Sequence, residues 1–161
     1  MGGEIARLIL VVCLSGTAVA GPLDDATEAY TRGDFDVAAK LLILYAEQGS
    51  AYEQAILGMM YDYGQGVPQD YAQAAKWYRA AAEQGYAHAQ YLLGDMHTRG
   101  EGVSPDYVQA HKWLSLSASR YPLSEEKSRA KAERLRDTIA SEMTAAQIAK
   151  AQLLAGEWKP K

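Results

Sequence analysis

Apolar residues recur at helical spacing along this chain, and each run stops at glycine. Leu57, Met60 and Tyr61 stand at i, i+3 and i+4 and predict the buried stripe of one helix. Gly64 and Gly66 break that helix, since glycine enters the left-handed backbone region without steric cost. Val67 reads as an apolar plug of the loop, and Pro68 cannot sit inside a continuing helix. Asp70 is placed to cap a second helix, whose apolar face is Ala74, Trp77, Tyr78, Ala81 and Ala82 and which ends at Gly85. Gly58 removes a side chain where the partner helix comes close.

This helix–loop–helix pattern then repeats. Leu57 and Leu93, Gly64 and Gly100, Val67 and Val103, Asp70 and Asp106, and Trp77 and Trp113 are each 36 residues apart. The second copy puts His97 in place of Tyr61 and ends at Arg120-Tyr121-Pro122 where Gly85 stood. A reduced copy comes first: Asp34, Ala38, Leu41, Ala46 and Gly49 precede Asp70, Ala74, Trp77, Ala82 and Gly85 by the same 36, without the glycine–valine loop. A period of this length with helix–turn–helix patterning predicts an all-α fold, an α/α superhelix or solenoid in which each unit buries its apolar face against its neighbours. Trp77 and Trp113 are expected in the core.

The C-terminal quarter has a different pattern. Ser124 followed by Glu125 and Glu126 predicts a capped helix start. Ala132, Leu135, Ile139 and Met143 form one narrow stripe, and Thr144 with Gln147 is a capping-box signature for a last helix carrying Ile148, Leu153, Leu154 and Trp158. The pair is expected to form a helical hairpin cap over the open end of the solenoid. The predicted organisation is a segment 1–20, a degenerate repeat 21–50, full repeats 51–85 and 86–121, and capping helices 122–161.

These residues carry a family resemblance. Leu57-Gly58, Tyr61, Gly64-x-Gly66-Val67, Asp70, Ala74, Trp77, Ala81-Ala82 and Gly85 resemble the Sel-one-like repeat (SLR) family, relatives of the tetratricopeptide repeats; the likeness covers roughly residues 24 to 121. Glu53 departs from it, standing where the family has a small residue. The resemblance implies a scaffold for protein–protein interaction whose first helices line a concave face. On that face the positions off the buried stripe are Asp24, Glu28 and Thr31 in the first unit, Ala55, Met59 and Asp62 in the second, and Tyr91, Asp95 and Thr98 in the third. Carboxylates mixed with Met and Tyr suit an extended protein or peptide partner with some basic character.

Composition narrows the function class further. With 161 residues, 48% hydrophobic and 22% charged, the chain has the make-up of one globular domain. A formal charge of −4 with no basic stripe argues against nucleic acid, whose binding needs Lys and Arg to replace phosphate counterions. Arg7, the apolar run from Leu8 to Leu14 and the small-x-small Ala18-Val19-Ala20 predict a secretory signal peptide cleaved near Ala20, hence a periplasmic or secreted protein. An uncleaved anchor is the alternative for that segment. Cys13, the only cysteine, lies inside it, so the mature chain is expected to have no disulfide and no thiolate ligand.

Candidate chemistry is thin. Ser124-x-x-Lys127 and Ser128-x-x-Lys131 fit the Ser-x-x-Lys pattern of penicillin-recognising enzymes, so a cell-wall or β-lactam hydrolase is the rival reading. That mechanism also needs Ser-Asp-Asn and Lys-Thr-Gly partners, and neither tripeptide occurs. His88, His97 and His111 with Asp95 show no metal-ligand spacing, and Gly64-Gln65-Gly66 follows a helix where a phosphate loop would follow a strand. No catalytic residue, cofactor or metal is therefore expected.

Overall fold

The computed structural model describes residues 22–161, with side chains from Asp25 onward. The predicted signal peptide, its expected cleavage point and Cys13 lie outside the described residues. Among the described residues eight α-helices follow one another: α1 Pro22–Arg32, α2 Phe35–Glu47, α3 Ala51–Tyr63, α4 Tyr71–Glu83, α5 Ala87–Arg99, α6 Tyr107–Arg120, α7 Glu126–Ala140 and α8 Ala145–Glu157. From α1 to α7 each helix packs on the one before it, with a short 3-10 turn between α6 and α7, and α8 returns to α6, which is the packing of an α/α solenoid. Among the described residues no helix is long and apolar enough to cross a membrane.

The core is a row of clusters, and the first helix of each full unit, α3 and α5, contributes to two of them. Ile56 and Met60 of α3 join Ala26, Ala29, Ala38 and Leu42 of the first pair. Ala55 of the same helix joins Tyr78, Ala81, Leu93 and Trp113. Tyr91 of α5 packs with Leu114, Ala132 and Ile139 at the far end. No unit has a closed core of its own, so stability is shared between neighbours.

The 36-residue period is realised atom by atom. Asp70 accepts hydrogen bonds from the amides of Ala72 and Gln73 at 2.9 and 3.0 Å, and Asp106 does the same for Val108 and Gln109. Gly66 and Gly102 have φ near +69° and +68°, and a Cβ on either would run into the backbone opening the preceding unit's second helix, at Phe35 and Tyr71 respectively. Two buried glutamines link consecutive units: Gln54 Nε2 donates to the Ala46 carbonyl at 3.0 Å and Gln90 Nε2 to the Ala82 carbonyl at 3.1 Å. Each adds a second donor to a helix-end carbonyl that also accepts from the amide of the turn glycine, Gly49 or Gly85.

Two local expectations are corrected, and one counterpart departs from its pattern. Asp34, the counterpart of Asp70, does not cap α2: the Gly33–Asp34 connection is too short to set it extended, and its carboxylate pairs with Arg32 at 3.2 Å. Ser124 caps nothing either, because the 3-10 turn Leu123–Glu125 intervenes and α7 starts at Glu126. Trp77 is only half-buried, and Tyr78 beside it is the fully buried aromatic of α4. Trp113 is in the core as expected. The capping pair is present, both its helices lie on α6, and Thr144 and Gln147 form the capping box.

Candidate partner-binding face

The first helices α1, α3 and α5 stand side by side. Tyr30 of α1 donates to Gln65 just past α3 at 3.1 Å, and Arg99 and Asp95 of α5 lie close enough to Asp62 of α3 to influence its ionisation. The nine sequence-predicted positions separate on this face. Glu28 and Thr31 are exposed, and Met59, Asp95 and Thr98 are half-buried. The Asp24 side chain lies outside the described residues.

Ala55, Asp62 and Tyr91 do not line an accessible surface. Ala55 is part of the core between α3 and α4. Tyr91 packs under α6 and α7, with the Lys131 ammonium 4.8 Å from its ring centre. Asp62 is 7% exposed and accepts a hydrogen bond from the Tyr78 hydroxyl at 3.2 Å. Burial holds its carboxyl above the usual range, against the opposing pull of that hydrogen bond and of Arg99. Burial and the Asp62 charge likewise push the Tyr78 hydroxyl well above its ordinary value.

What α3 presents instead is Tyr52, Met59 and Tyr63, which share one stripe at i, i+7 and i+11, with Tyr63 61% exposed. Tyr63 is the residue the sequence reading missed. The glycine-aligned register that matches Glu28, Met59 and Asp95 also matches Arg32, Tyr63 and Arg99 one turn on. In the outer units that second position carries a cation bonded to the first: Arg32 to Glu28 at 3.0 Å and Arg99 to Asp95 at 3.1 Å. In the middle unit it carries Tyr63 beside Met59. The face is thus an apolar centre between two ion pairs, with Asp34 and Glu101 as further partners of the two arginines. Four carboxylates stand there against two guanidinium groups.

The candidates for chemistry are dispersed. Ser124 is exposed on the turn before α7, and Ser128 is half-buried on α7. His97 is 7% exposed with Nδ1 3.4 Å from the Ser104 carbonyl, His88 Nδ1 is 3.0 Å from the Tyr121 hydroxyl, and His111 Nδ1 is 3.4 Å from the Ser115 hydroxyl. Burial holds all three imidazoles below their ordinary pKa. Among the described residues no three metal-ligating side chains converge.

The family model of the Sel1 repeat matches residues 54–86 and 87–121. This chain carries two Sel1 repeats. Sel1-like repeat proteins generally mediate protein–protein interactions. The Sel1 fold is shared with two solved structures. One is c5321, a protective antigen present in uropathogenic Escherichia coli strains and displaying an SLR fold, with TM-score 0.74 and 30% identity over 85% of this chain. The other is a Sel1 repeat protein from Oxalobacter formigenes, with TM-score 0.64 and 29% identity over 86% of this chain. The chain spans 29% and 54% of the lengths of those two proteins. No curated protein matches it.

Proposed function

We infer that this Sel1-repeat chain is an exported scaffold that holds a protein or peptide partner on the concave face of α1, α3 and α5. The observation that carries the reading is exposed Tyr63 beside half-buried Met59, between the Arg32–Glu28 and Arg99–Asp95 ion pairs. An aromatic and a methionine surrounded by charges have the make-up of an interface centre with a polar rim. The excess of carboxylates favours a partner segment with basic residues around an apolar anchor. Export rests on Arg7, the Leu8–Leu14 run and Ala18-Val19-Ala20.

Crosslinking in cells, followed by identification of the captured proteins, tests the reading when the parent is compared with Tyr63→Glu. The substitution lies on an exposed position, so the thermal melt should be unchanged while capture of the specific partner is lost. Equal capture by the variant would displace the site from this face. Fractionation with N-terminal sequencing tests export, with the mature chain expected in the periplasm or medium and starting near Gly21.

A further inference from the structure

The segment after α8 is held by the solenoid the way a bound peptide would be. Trp158 packs edge-on against Trp113 with ring centroids 6.2 Å apart, and the Arg120 guanidinium lies 4.3 Å from the centre of the Trp158 ring. Trp158 and Pro160 lie against the side-chain-free face of Gly85, 3.7 and 3.8 Å from where a Cβ would stand. Lys161 closes the contact: its backbone N–H donates to the Glu83 carbonyl at 2.9 Å, and its ammonium meets the Glu83 carboxylate at 2.7 Å. The receiving site is therefore Glu83 and Gly85 at the end of one unit with Trp113 from the next.

One period earlier the chain carries the same set. Glu47, Gly49 and Trp77 stand 36 residues before Glu83, Gly85 and Trp113. Glu47 and Gly49 are exposed, Trp77 is half-buried, and no atom lies within 4 Å of where a Gly49 Cβ would stand. Among the described residues no chain segment is laid over this copy, although the Lys76 ammonium lies 5.1 Å from the centre of the Trp77 ring, as that of Lys112 lies 4.2 Å from Trp113. Two substitutions distinguish it from the occupied one. Gln84 replaces Arg120 and is bonded to Gln54 at 2.8 Å, so no guanidinium waits there for an incoming ring. Glu53 replaces Ala89, which belongs to the core cluster of Trp113, and one Glu53 carboxylate oxygen is buried without a partner. The loss of the Arg120 guanidinium makes the vacant copy more attractive to a basic segment than the occupied one.

We propose that Glu47, Gly49 and Trp77 form a second, vacant copy of the site that holds the chain's own tail, and that it binds a partner peptide carrying an aromatic residue with Lys or Arg three positions later. The aromatic ring stacks on Trp77 and crosses Gly49, and the basic side chain reaches the Glu47 carboxylate. This surface lies on the second helices and the unit junctions, apart from the Met59–Tyr63 face, and does not depend on it.

The probe is a fluorescein-labelled peptide with the sequence of residues 154–161, titrated with the mature protein at low salt. Saturable binding is expected, weakened about five-fold or more by Glu47→Lys, since the substitution turns an attraction into a repulsion. It should also be lost when the tryptophan of the probe is replaced by alanine. Because Glu47 is exposed, the melting temperature of Glu47→Lys serves as the control for folding and should match the parent. No saturable binding, or binding that Glu47→Lys leaves unchanged because the probe has displaced the chain's own tail, overturns the proposal. Sedimentation of the protein without probe tests a different occupant. A dimer abolished by either Glu47→Lys or Trp158→Ala would assign the site to the tail of a second copy and overturn the partner peptide.

Discussion

The second unit, α3 and α4, and the third, α5 and α6, share a backbone plan but bury different chemistry. Where α4 approaches α3, Gly58 lies beneath the Tyr78 ring, and that ring is tied by its hydroxyl to Asp62. At the matching place Gly94 lies beneath Leu114, and Thr98 turns its hydroxyl onto its own helix at the Gly94 carbonyl. The second unit adds a hydrogen bond from Gln84 to Gln54, whereas in the third Arg120 has swung to the Trp158 ring and left Gln90 Oε1 buried without a partner. The repeat motif therefore specifies where helices run. The residues between its fixed points decide whether a unit is held by polar bonds or by a neighbour laid over it.

The largest test of that difference is the tryptophan pair. Trp113→Ala should cost roughly 3–5 kcal/mol in urea unfolding, since Trp113 is buried beneath Trp158, and the half-exposed Trp77→Ala only about 1–2 kcal/mol. Equal losses would mean that α8 and Trp158 do not cover the third unit in solution. Next come the close-approach glycines. Gly58→Ala places a Cβ 2.6 Å from the Tyr78 ring, which its hydrogen bond holds in place, while Gly94→Ala meets a rotatable Leu114 at 2.8 Å. Losses of about 2–3 and about 1 kcal/mol are expected in that order. The reverse order would show the Asp62–Tyr78 bond to be too weak to fix the ring.

A smaller effect separates the two glutamines. Gln54→Ala removes a donor to Ala46 and an acceptor for Gln84 and should cost about 1–2 kcal/mol, against under about 1 kcal/mol for Gln90→Ala, which loses one bond and removes an unpaired oxygen. The smallest is the response to pH, and it is weighted toward the third unit, home of all three histidines. Their pKa values are depressed by burial, so below the ordinary histidine value the unfolded chain binds more protons than the folded one. Melting temperature should therefore fall as pH drops from about 7 to about 5. His97→Gln should flatten part of that slope, whereas an unchanged slope would remove His97 from the account.

The repeat was legible because its signals are local. Glycines needed at positive φ, an aspartate that caps α4 or α6, and an apolar residue each turn act within a few residues of themselves. The candidate face was only half legible. Placing Asp62 on it assumed that the exposed edge of α3 follows the Ala55–Met59–Asp62 line. The exposed edge follows Tyr52, Met59 and Tyr63, because Tyr78 of α4 reaches across and takes Asp62 into the interior. Asp34 and Ser124 show the converse limit: each has the residue type of a cap, but the length of the adjoining connection denies it the backbone geometry.

By itself the sequence determined the all-α class, the 36-residue period, the two full units and the capping pair, since chain stereochemistry and hydrophobic periodicity act within a single unit. Only tertiary structure decided which surfaces remain free. Exposure depends on what the next unit lays over a residue, so Trp113 is covered by Trp158 while Trp77 is not, and Glu83 is engaged by Lys161 while Glu47 is open. Identical residue types at identical spacing have different neighbours, and neighbours are a property of the stack.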